Sequence, residues 1–151
     1  MLNKLTLIMM VGAPASGKST WATDYANKNN CAYVCTDSIR AEIGKGEDDQ
    51  EASGPAWFIA QKRVGEWLSI GKNVVVDATN IDSKTRKRWI KIAKEFDADT
   101  VAVVFEIDRD ELIKRDAKRK RTVGPDVIDN FLEKYVRPDN TEVNKIVLNP
   151  N

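Results

Sequence analysis

The chain has 151 residues, of which 31% are charged, and its formal net charge is +1. This length can bury one substantial core, so a single domain over residues 1–151 is predicted, and the balanced charge argues neither for nor against a nucleic-acid partner. Histidine is absent, which excludes imidazole as general base or metal ligand and leaves acid–base chemistry to Asp, Glu, Lys or Tyr.

The first predicted element is a buried strand over the apolar residues 5–11, followed by the segment GAPASGKST over residues 12–20. This segment fits GxxxxGK[ST], in which glycines let the backbone wrap around a phosphate chain with its amide groups pointing inward. A helix predicted over about residues 18–29 would present its positive dipole end to the same anion. The expected phosphate-binding residues are Gly12, Ala15, Ser16, Gly17, Lys18, Ser19 and Thr20.

Two residues of this loop have distinct chemical roles in the prediction. Lys18 would reach the β and γ phosphates of a nucleotide and act in catalysis, and the Ser19 hydroxyl would take one coordination site of Mg²⁺. ATP and Mg²⁺ are therefore the expected cofactors, although the choice between ATP and GTP has no local signature.

The second predicted strand covers residues 31–35 and carries both cysteines. Cys31 and Cys35 would lie roughly 13 Å apart along a strand, too far for a disulfide, so they are predicted to be buried free thiols. Asp37 follows in a turn with helix-capping character, and Arg40 lies three residues on. Asp37 is a candidate general base for a hydroxyl acceptor, and Arg40 a candidate clamp for its phosphate; a helix cap with a surface arginine is the alternative.

A polar loop over residues 44–54 and a helix over 55–71 lead to the third predicted strand, residues 73–77. That strand ends on Asp77, where a nucleotide hydrolase or kinase has a carboxylate for the Mg²⁺ shell; a simple cap is the alternative. Thr79 and Asn80 continue into the same region and could bind the acceptor, or be ordinary turn residues.

The remaining elements are a helix over 82–97, a strand over 100–107, a helix over 109–119, a helix ending near residue 136 and a fifth strand over 145–149. Arg115 and Arg119 lie four residues apart on one helical face and lead into a basic loop. Phosphoryl transfer needs a cation that closes over the transition state, so both arginines, Arg119 in a catalytic role, are predicted to belong to a mobile lid at about residues 115–125. A solvated basic helix is the alternative.

Alternation of strands with helices predicts the fold class. Strand segments that are apolar on both faces indicate an α/β domain: a doubly wound parallel sheet of four to five strands with helices on both sides. Ligands bind such sheets beyond the carboxyl ends of the strands, which is where the candidate residues cluster. No apolar segment approaches the ~20 residues of a membrane span, and a cytoplasmic protein without a membrane partner is expected.

Four segments of the chain resemble the kinase domain of the bacteriophage polynucleotide 5′-kinases, within the wider group of small P-loop kinases. They are GAPASGKSTWA at 12–22, TDSIR at 36–40, TNIDSKTRKRW at 79–89, and ELIKRDAKR with Pro125-Asp126-Val127 downstream. The resemblance implies that Lys18 and Ser19 serve ATP and Mg²⁺, that Asp37 is the general base for a 5′ hydroxyl, and that Arg40 engages the acceptor's phosphate.

The same resemblance implies that Thr79 lies beside the acceptor and that Arg115 and Arg119 belong to a lid that contacts ATP. The stretch between Arg40 and the third strand is short compared with the phage enzymes, and no segment follows that could form their phosphatase domain. Processing of 3′ ends is therefore not expected.

The function predicted from the sequence is an ATP-dependent polynucleotide 5′-hydroxyl kinase for DNA or RNA ends, of the kind used in nucleic acid repair. A P-loop kinase acting on a small-molecule hydroxyl of a nucleoside, metabolite or antibiotic is the main alternative, and a nucleotide-dependent binding module is a further one. DNA or RNA preference, end structure and oligomeric state stay open.

Overall fold

A single parallel sheet forms the centre of the molecule in the computed structural model, which describes residues 4–44, 46 and 53–150. Its strands are β1 (Thr6–Gly12), β2 (Ala32–Cys35), β3 (Val74–Asp77), β4 (Asp99–Phe105) and β5 (Lys145–Leu148). Their order is β2-β3-β1-β4-β5, and every pairing is parallel. The predicted α/β class and the fifth strand are confirmed.

The helices are α1 (Lys18–Lys28), α2 (Thr36–Ile43), α3 (Ser53–Ser69), α4 (Ser83–Glu95), α5 (Arg109–Ala117) and α6 (Pro125–Lys134). Local chemistry explains several of their starts: the Asp82 carboxylate accepts the Thr85 backbone N–H at 2.8 Å and caps α4, and Pro125 occupies the first turn of α6. The loop predicted over residues 44–54 lies mostly outside the described residues, since 45 and 47–52 are among those not described.

Strand β1 is buried along its whole length and divides the core into two layers. Leu7, Met9 and Val11 pack on one face with α3 and α4, whereas Ile8 and Met10 pack on the other face with residues of α1. Because neighbouring side chains of a strand point to opposite faces, this continuous apolar run requires cover on both sides of the sheet. The layered arrangement follows directly from that pattern.

The sheet brings the ends of β1, β2, β3 and β4 to one edge. Met9 of β1 is aligned with Val76 of β3 and Ala102 of β4, so the loops that follow these strands converge. Helices α1, α2, α4 and α5 begin at this edge, and their positive dipole ends face the same space.

One expectation about side-chain burial needs correction. Cys31 and Cys35 are free thiols, as predicted, but both are half-buried, because β2 forms an edge of the sheet. Among the tryptophans, Trp89 is a core residue at 0% exposure, whereas Trp67 is 39% exposed near the end of α3. Among the described residues, no helix has the length and apolar character needed to cross a membrane.

Candidate active site

A cleft of about 550 Å³ opens at the edge where the strands end. Most of the residues singled out from the sequence line it: Ala15, Ser16, Gly17, Lys18, Ser19, Thr20, Asp37, Arg40, Thr79, Arg115 and Arg119. Arg121, Val123, Val127 and Phe131 complete the wall on the side of α6. Groups that follow four different strands therefore share one cavity, which the order of the sheet makes possible.

The loop after β1 is shaped by the absence of side chains at two positions. A Cβ on Gly12 would lie 2.9 Å from Ser16 Oγ and 3.2 Å from Phe105 Cβ, so a larger residue there would displace the loop. Gly17 has a φ of 90°, a left-handed conformation that glycine adopts without strain. The Gly12 N–H donates to the Thr79 carbonyl oxygen at 3.0 Å and ties the loop to the residues after β3.

Two polar groups of this loop fit an anion. Ser16 Oγ is fully buried and has no hydrogen-bond partner in the part of the chain that the structure describes. Lys18 Nζ donates to the Ala13 carbonyl oxygen at a long 3.4 Å. Burial lowers the pKa of Lys18, while Asp77 and Asp37 oppose that shift through their negative charges. A phosphate chain would supply the missing acceptor for Ser16 and the missing charge for Lys18.

Helix α5 reaches the same loop from the opposite side. Arg115 donates from Nη1 to the Ser16 carbonyl oxygen at 3.3 Å and from Nε to Glu111 Oε2 at 3.0 Å. Its guanidinium thus lies against the backbone that would wrap the phosphates. One turn further on, Arg119 also faces the cleft.

Asp116 is a residue that sequence reasoning missed. Its carboxylate is 2% exposed and accepts the backbone N–H groups of Val123, at 3.1 and 3.2 Å, and Gly124, at 2.9 Å. Arg119 Nη1 donates to the same carboxylate at 3.4 Å. One buried carboxylate therefore fixes both ends of the loop between α5 and α6. The single acid in the basic stretch KRDAKRKR was the signal available for it.

The opposite wall of the cleft carries Asp37 and Arg40 in the same helix, α2. Arg40 forms an ion pair with the Asp37 carboxylate and donates from Nη1 to Ser53 Oγ of α3 at 3.5 Å. The Asp37 side chain remains 51% exposed. This carboxylate lines the same cleft as the phosphate loop, and its negative charge opposes the lowering of the Lys18 pKa. Thr79 lines the cleft beside them.

Asp77 lies behind the cleft rather than on its wall. It is 2% exposed, and the Tyr33 hydroxyl donates to its Oδ2. Burial and this hydrogen bond to the carboxylate raise the pKa of Tyr33, which therefore keeps its proton. A buried carboxylate whose charge acts on Lys18 of the phosphate loop fits Mg²⁺, which uses one or two protein oxygens together with water and substrate phosphates.

The structure does not bring the Asn80 side chain to the substrate, contrary to the sequence prediction. Asn80 is completely buried, its Nδ2 donates to the Met10 carbonyl oxygen at 2.7 Å, and its Oδ1 accepts the Trp89 indole N–H at 2.9 Å. Its φ of 47° is left-handed, which asparagine tolerates. Asn80 therefore links β1 to α4 within the core.

Together, the parallel sheet, the glycine-bearing loop after its central strand and the half-buried lysine of that loop define the chain as a P-loop domain. The family model described as an AAA domain matches residues 7–138, and the chain belongs to that family.

The chain is also similar to proteins of known or assigned activity. It is 30% identical over 141 residues to the L-seryl-tRNA(Sec) kinase of Methanococcus maripaludis, covering 87% of this chain and 53% of that protein. It is 30% identical over 111 residues to a candidate bifunctional polynucleotide phosphatase/kinase of Acanthamoeba polyphaga mimivirus, covering 74% of this chain and 23% of that protein.

A solved structure of the Pnkp1/Rnl/Hen1 RNA repair complex contains a chain that superposes with a TM-score of 0.77 at 25% identity. The match covers 89% of this chain and 45% of that one. The chain thus spans about half, or less, of the length of these relatives. Both of these curated relatives bear the names of kinases, in agreement with an ATP-dependent kinase.

Proposed function

We propose that this chain is an ATP-dependent kinase that transfers the γ-phosphate to the 5′ hydroxyl of a polynucleotide. The observation that carries the proposal is that a half-exposed carboxylate, Asp37, and the half-buried Lys18 of the phosphate loop line one cleft. A loop that only held a nucleotide would not need a base opposite it. Similarity to the mimiviral protein and to the RNA repair complex supports a polynucleotide as acceptor.

On the donor side, the loop amides and Lys18 would hold the β and γ phosphates of ATP. Ser19 and Asp77 would hold Mg²⁺, directly or through water, and the ion would neutralise charge on the phosphates. Gly12, Ala15, Ser16, Gly17 and Thr20 belong to the same loop and would shape or contact the phosphate chain.

On the acceptor side, Asp37 would take the proton from the 5′ hydroxyl as the oxygen bonds to the γ phosphorus and the bond to ADP breaks. Arg40 would exchange its ion pair with Asp37 for the acceptor's phosphate and so leave the carboxylate free to receive the proton. Thr79 would contact the same nucleotide. This exchange makes the base available only when an acceptor is bound.

The arginines of α5 would complete the transition state. Arg115 already contacts the phosphate loop and Arg119 faces the cleft, so both would approach the β and γ phosphates with little movement. A cation in this position stabilises the charge of the transferring group more than that of the ground state. Residues 115–125 would act as the lid.

A second candidate is a kinase for a different hydroxyl. The seryl-tRNA(Sec) kinase is similar over 87% of this chain, so the same domain type serves an acceptor other than a polynucleotide 5′ end. A small-molecule hydroxyl would fit the same chemistry. This candidate predicts activity that oligonucleotides do not inhibit.

The deciding experiment is a transfer assay with ATP labelled at the γ phosphate, Mg²⁺ and short DNA and RNA oligonucleotides with a 5′ hydroxyl. Oligonucleotides that already carry a 5′ phosphate are the substrate control. Asp37→Asn should lower turnover by at least about 100-fold with little change in ATP affinity, and Asp24→Asn, an exposed change on α1, should have no effect.

Label on the hydroxyl ends alone, lost in Asp37→Asn, is the expected result. Normal turnover in Asp37→Asn would remove this carboxylate from the mechanism. Absence of transfer to every oligonucleotide, with ATP still bound, would favour the second candidate.

A further inference from the structure

The solvent side of α4 carries a row of cations that are not joined to carboxylates by ion pairs within the described residues. Its members are exposed and lie on the outer side of one helix: Lys84, Lys87, Arg88, Lys91 and Lys94. None of them forms an ion pair with a carboxylate in the part of the chain that the structure describes. We refer to these five residues as the α4 basic face.

Some cations elsewhere on the surface do form ion pairs. Lys28 pairs with Asp24 at 3.0 Å, and Arg63 pairs with Glu42 at 2.8 Å. An ordinary solvated helix mixes charges of both signs, because like charges one turn apart repel each other. A row of five cations therefore carries an electrostatic cost on its own and suits an anionic partner.

The α4 basic face begins a short distance along the chain from the cleft. Thr79 lines the cleft, and α4 begins four residues later at Ser83. From Lys84 to Lys94 the helix extends for roughly 15 Å. Phosphates of one nucleic-acid strand are about 3.4 Å apart along a stacked helix, so about four of them match this length.

Residues of α2 and α3 also connect the cleft with the α4 basic face. Arg40 contacts Ser53 at the start of α3, and Trp57 lies one turn further along that helix. The Trp57 ring is half-buried and stacks on Trp89, with ring centroids 5.3 Å apart. Arg88 lies over the Trp57 ring, 5.6 Å from its centroid. Trp57 thus holds the Arg88 guanidinium within the α4 basic face, where a cation can neutralise the backbone charge of single-stranded nucleic acid.

We propose that the α4 basic face, together with Trp57, binds the single strand that follows the 5′-terminal nucleotide. This inference rests on the proposed function, because it takes the acceptor side of the cleft as the entry point of the strand. The surface makes affinity depend on acceptor length and leaves the chemical step unchanged. This dependence on length distinguishes a polynucleotide acceptor from a small-molecule acceptor, which would not reach α4.

The test uses the intact chain and two double variants with the same change in charge. Lys87→Gln with Lys91→Gln removes two cations from the middle of the face, and glutamine keeps a high helix propensity. Lys72→Gln with Lys145→Gln is the control, since these lysines lie at the amino-terminal ends of β3 and β5, away from the cleft. Acceptors are a trinucleotide and a 20-mer, each single-stranded with a 5′ hydroxyl.

The expected result is a KM for the 20-mer that rises roughly five- to tenfold at low salt in the α4 double variant, with kcat unchanged. The KM for the trinucleotide should stay constant. The slope of log affinity against log salt for the 20-mer should become shallower by about 1.4, because each single-strand phosphate contact contributes about 0.7. The control pair should match the unmodified chain on both acceptors.

Equal KM values for the two acceptors in the unmodified chain, or equal losses in both double variants, would overturn the proposal. Fluorescence anisotropy with a labelled 20-mer tests the surface without the reaction, and an unchanged Kd in the α4 double variant would also overturn it. Failure of the proposed function has a different signature, namely no phosphate transfer to either oligonucleotide by the unmodified chain.

Discussion

The two walls of the cleft are built in different ways. The donor wall consists of the phosphate loop and the loop between α5 and α6, and backbone groups predominate in it. Gly17 is left-handed, the Ser16 carbonyl oxygen accepts a hydrogen bond from Arg115, and backbone amides of the second loop donate to Asp116. On the acceptor wall, side chains from α2, α3 and the end of β3 meet, and their main bond is an ion pair between Asp37 and Arg40. The donor wall is held by hydrogen bonds to backbone groups, whereas the acceptor wall can exchange partners.

This difference indicates what each wall recognises. Phosphate chains have one shape, so a fixed backbone cradle serves all of them. An acceptor has to be admitted, aligned and released, which suits side chains that are held by ion pairs with each other before it arrives. Four substitutions test whether the division into a donor and an acceptor wall is correct.

Arg119→Ala should have the largest effect and should be confined to the donor wall. We expect kcat to fall roughly 1000-fold, because the cation on the transferring phosphate is lost, while the KM for the oligonucleotide changes little. Steady-state kinetics with saturating ATP measure both values. Arg109→Ala, at the far end of α5 and paired with Asp129, is the control. A defect seen only in acceptor KM would move Arg119 to the acceptor wall.

Arg40→Gln should affect the acceptor wall alone. Loss of a charged hydrogen bond costs about 1.5–3 kcal/mol, so the acceptor KM should rise roughly 10- to 100-fold with ATP affinity unchanged. Kinetics with varied oligonucleotide, and calorimetric titration with ADP, separate the two quantities. A weaker affinity for ADP would mean that the walls are not independent.

Asp116→Asn should weaken the donor wall by loosening the loop between α5 and α6. An amide group can accept from only one side, so one of the N–H groups of Val123 and Gly124 loses its acceptor. We expect kcat to fall about tenfold, since Arg119 is less well positioned, with acceptor KM retained. Asp116→Glu, which keeps both oxygens, should restore part of kcat. If kcat followed thermal stability in both variants, Asp116 would have a structural role alone.

Asp82→Ala should have the smallest effect, because it removes the cap of α4 and touches neither wall. Stability at pH 7 should fall by about 1 kcal/mol with kcat unchanged. The Thr85 N–H lowers the pKa of Asp82 below its usual 3.8 in the folded chain. The stabilisation that the Asp82 cap provides is therefore complete at pH values above 3.8, and it is lost as the pH falls through the lowered pKa of Asp82 in the folded chain. Urea unfolding of both forms across this range should show the difference narrowing in acid; a constant difference would contradict the assignment.

The sequence predicted the donor wall better than the acceptor wall, for a physical reason. Phosphate loops need glycine, lysine and a hydroxyl at fixed spacing, and a sequence shows that spacing directly. The four strands around the loop, β1 to β4, are likewise visible in the sequence as continuous runs of mostly apolar residues. Asn80 was misassigned because polarity after a strand does not reveal that both ends of its amide are bound inside the core. Asp116 was missed because its partners, Val123 and Gly124, are backbone groups that leave no mark in composition.

Helix α2 illustrates a further limit. A turn that caps a helix was expected at residues 36–38, with Arg40 on that helix, whereas in the structure the helix already begins at Thr36 and extends to Ile43. Packing of α2 against α3 stabilises this short helix, and such tertiary contacts override weak local propensity. Pairing of Arg40 with Ser53 also depends on that packing and is not visible from spacing alone.

The position of β1 has a consequence for how the chain folds. Leu7 of this first strand pairs with Val74 and Thr100, so the centre of the sheet closes only after most of the chain has been synthesised. Contacts over such sequence distances make folding slow. The phosphate loop follows β1 and is tied to Thr79, so it assembles late. A nucleotide that binds only the finished loop should therefore slow unfolding much more than it accelerates folding.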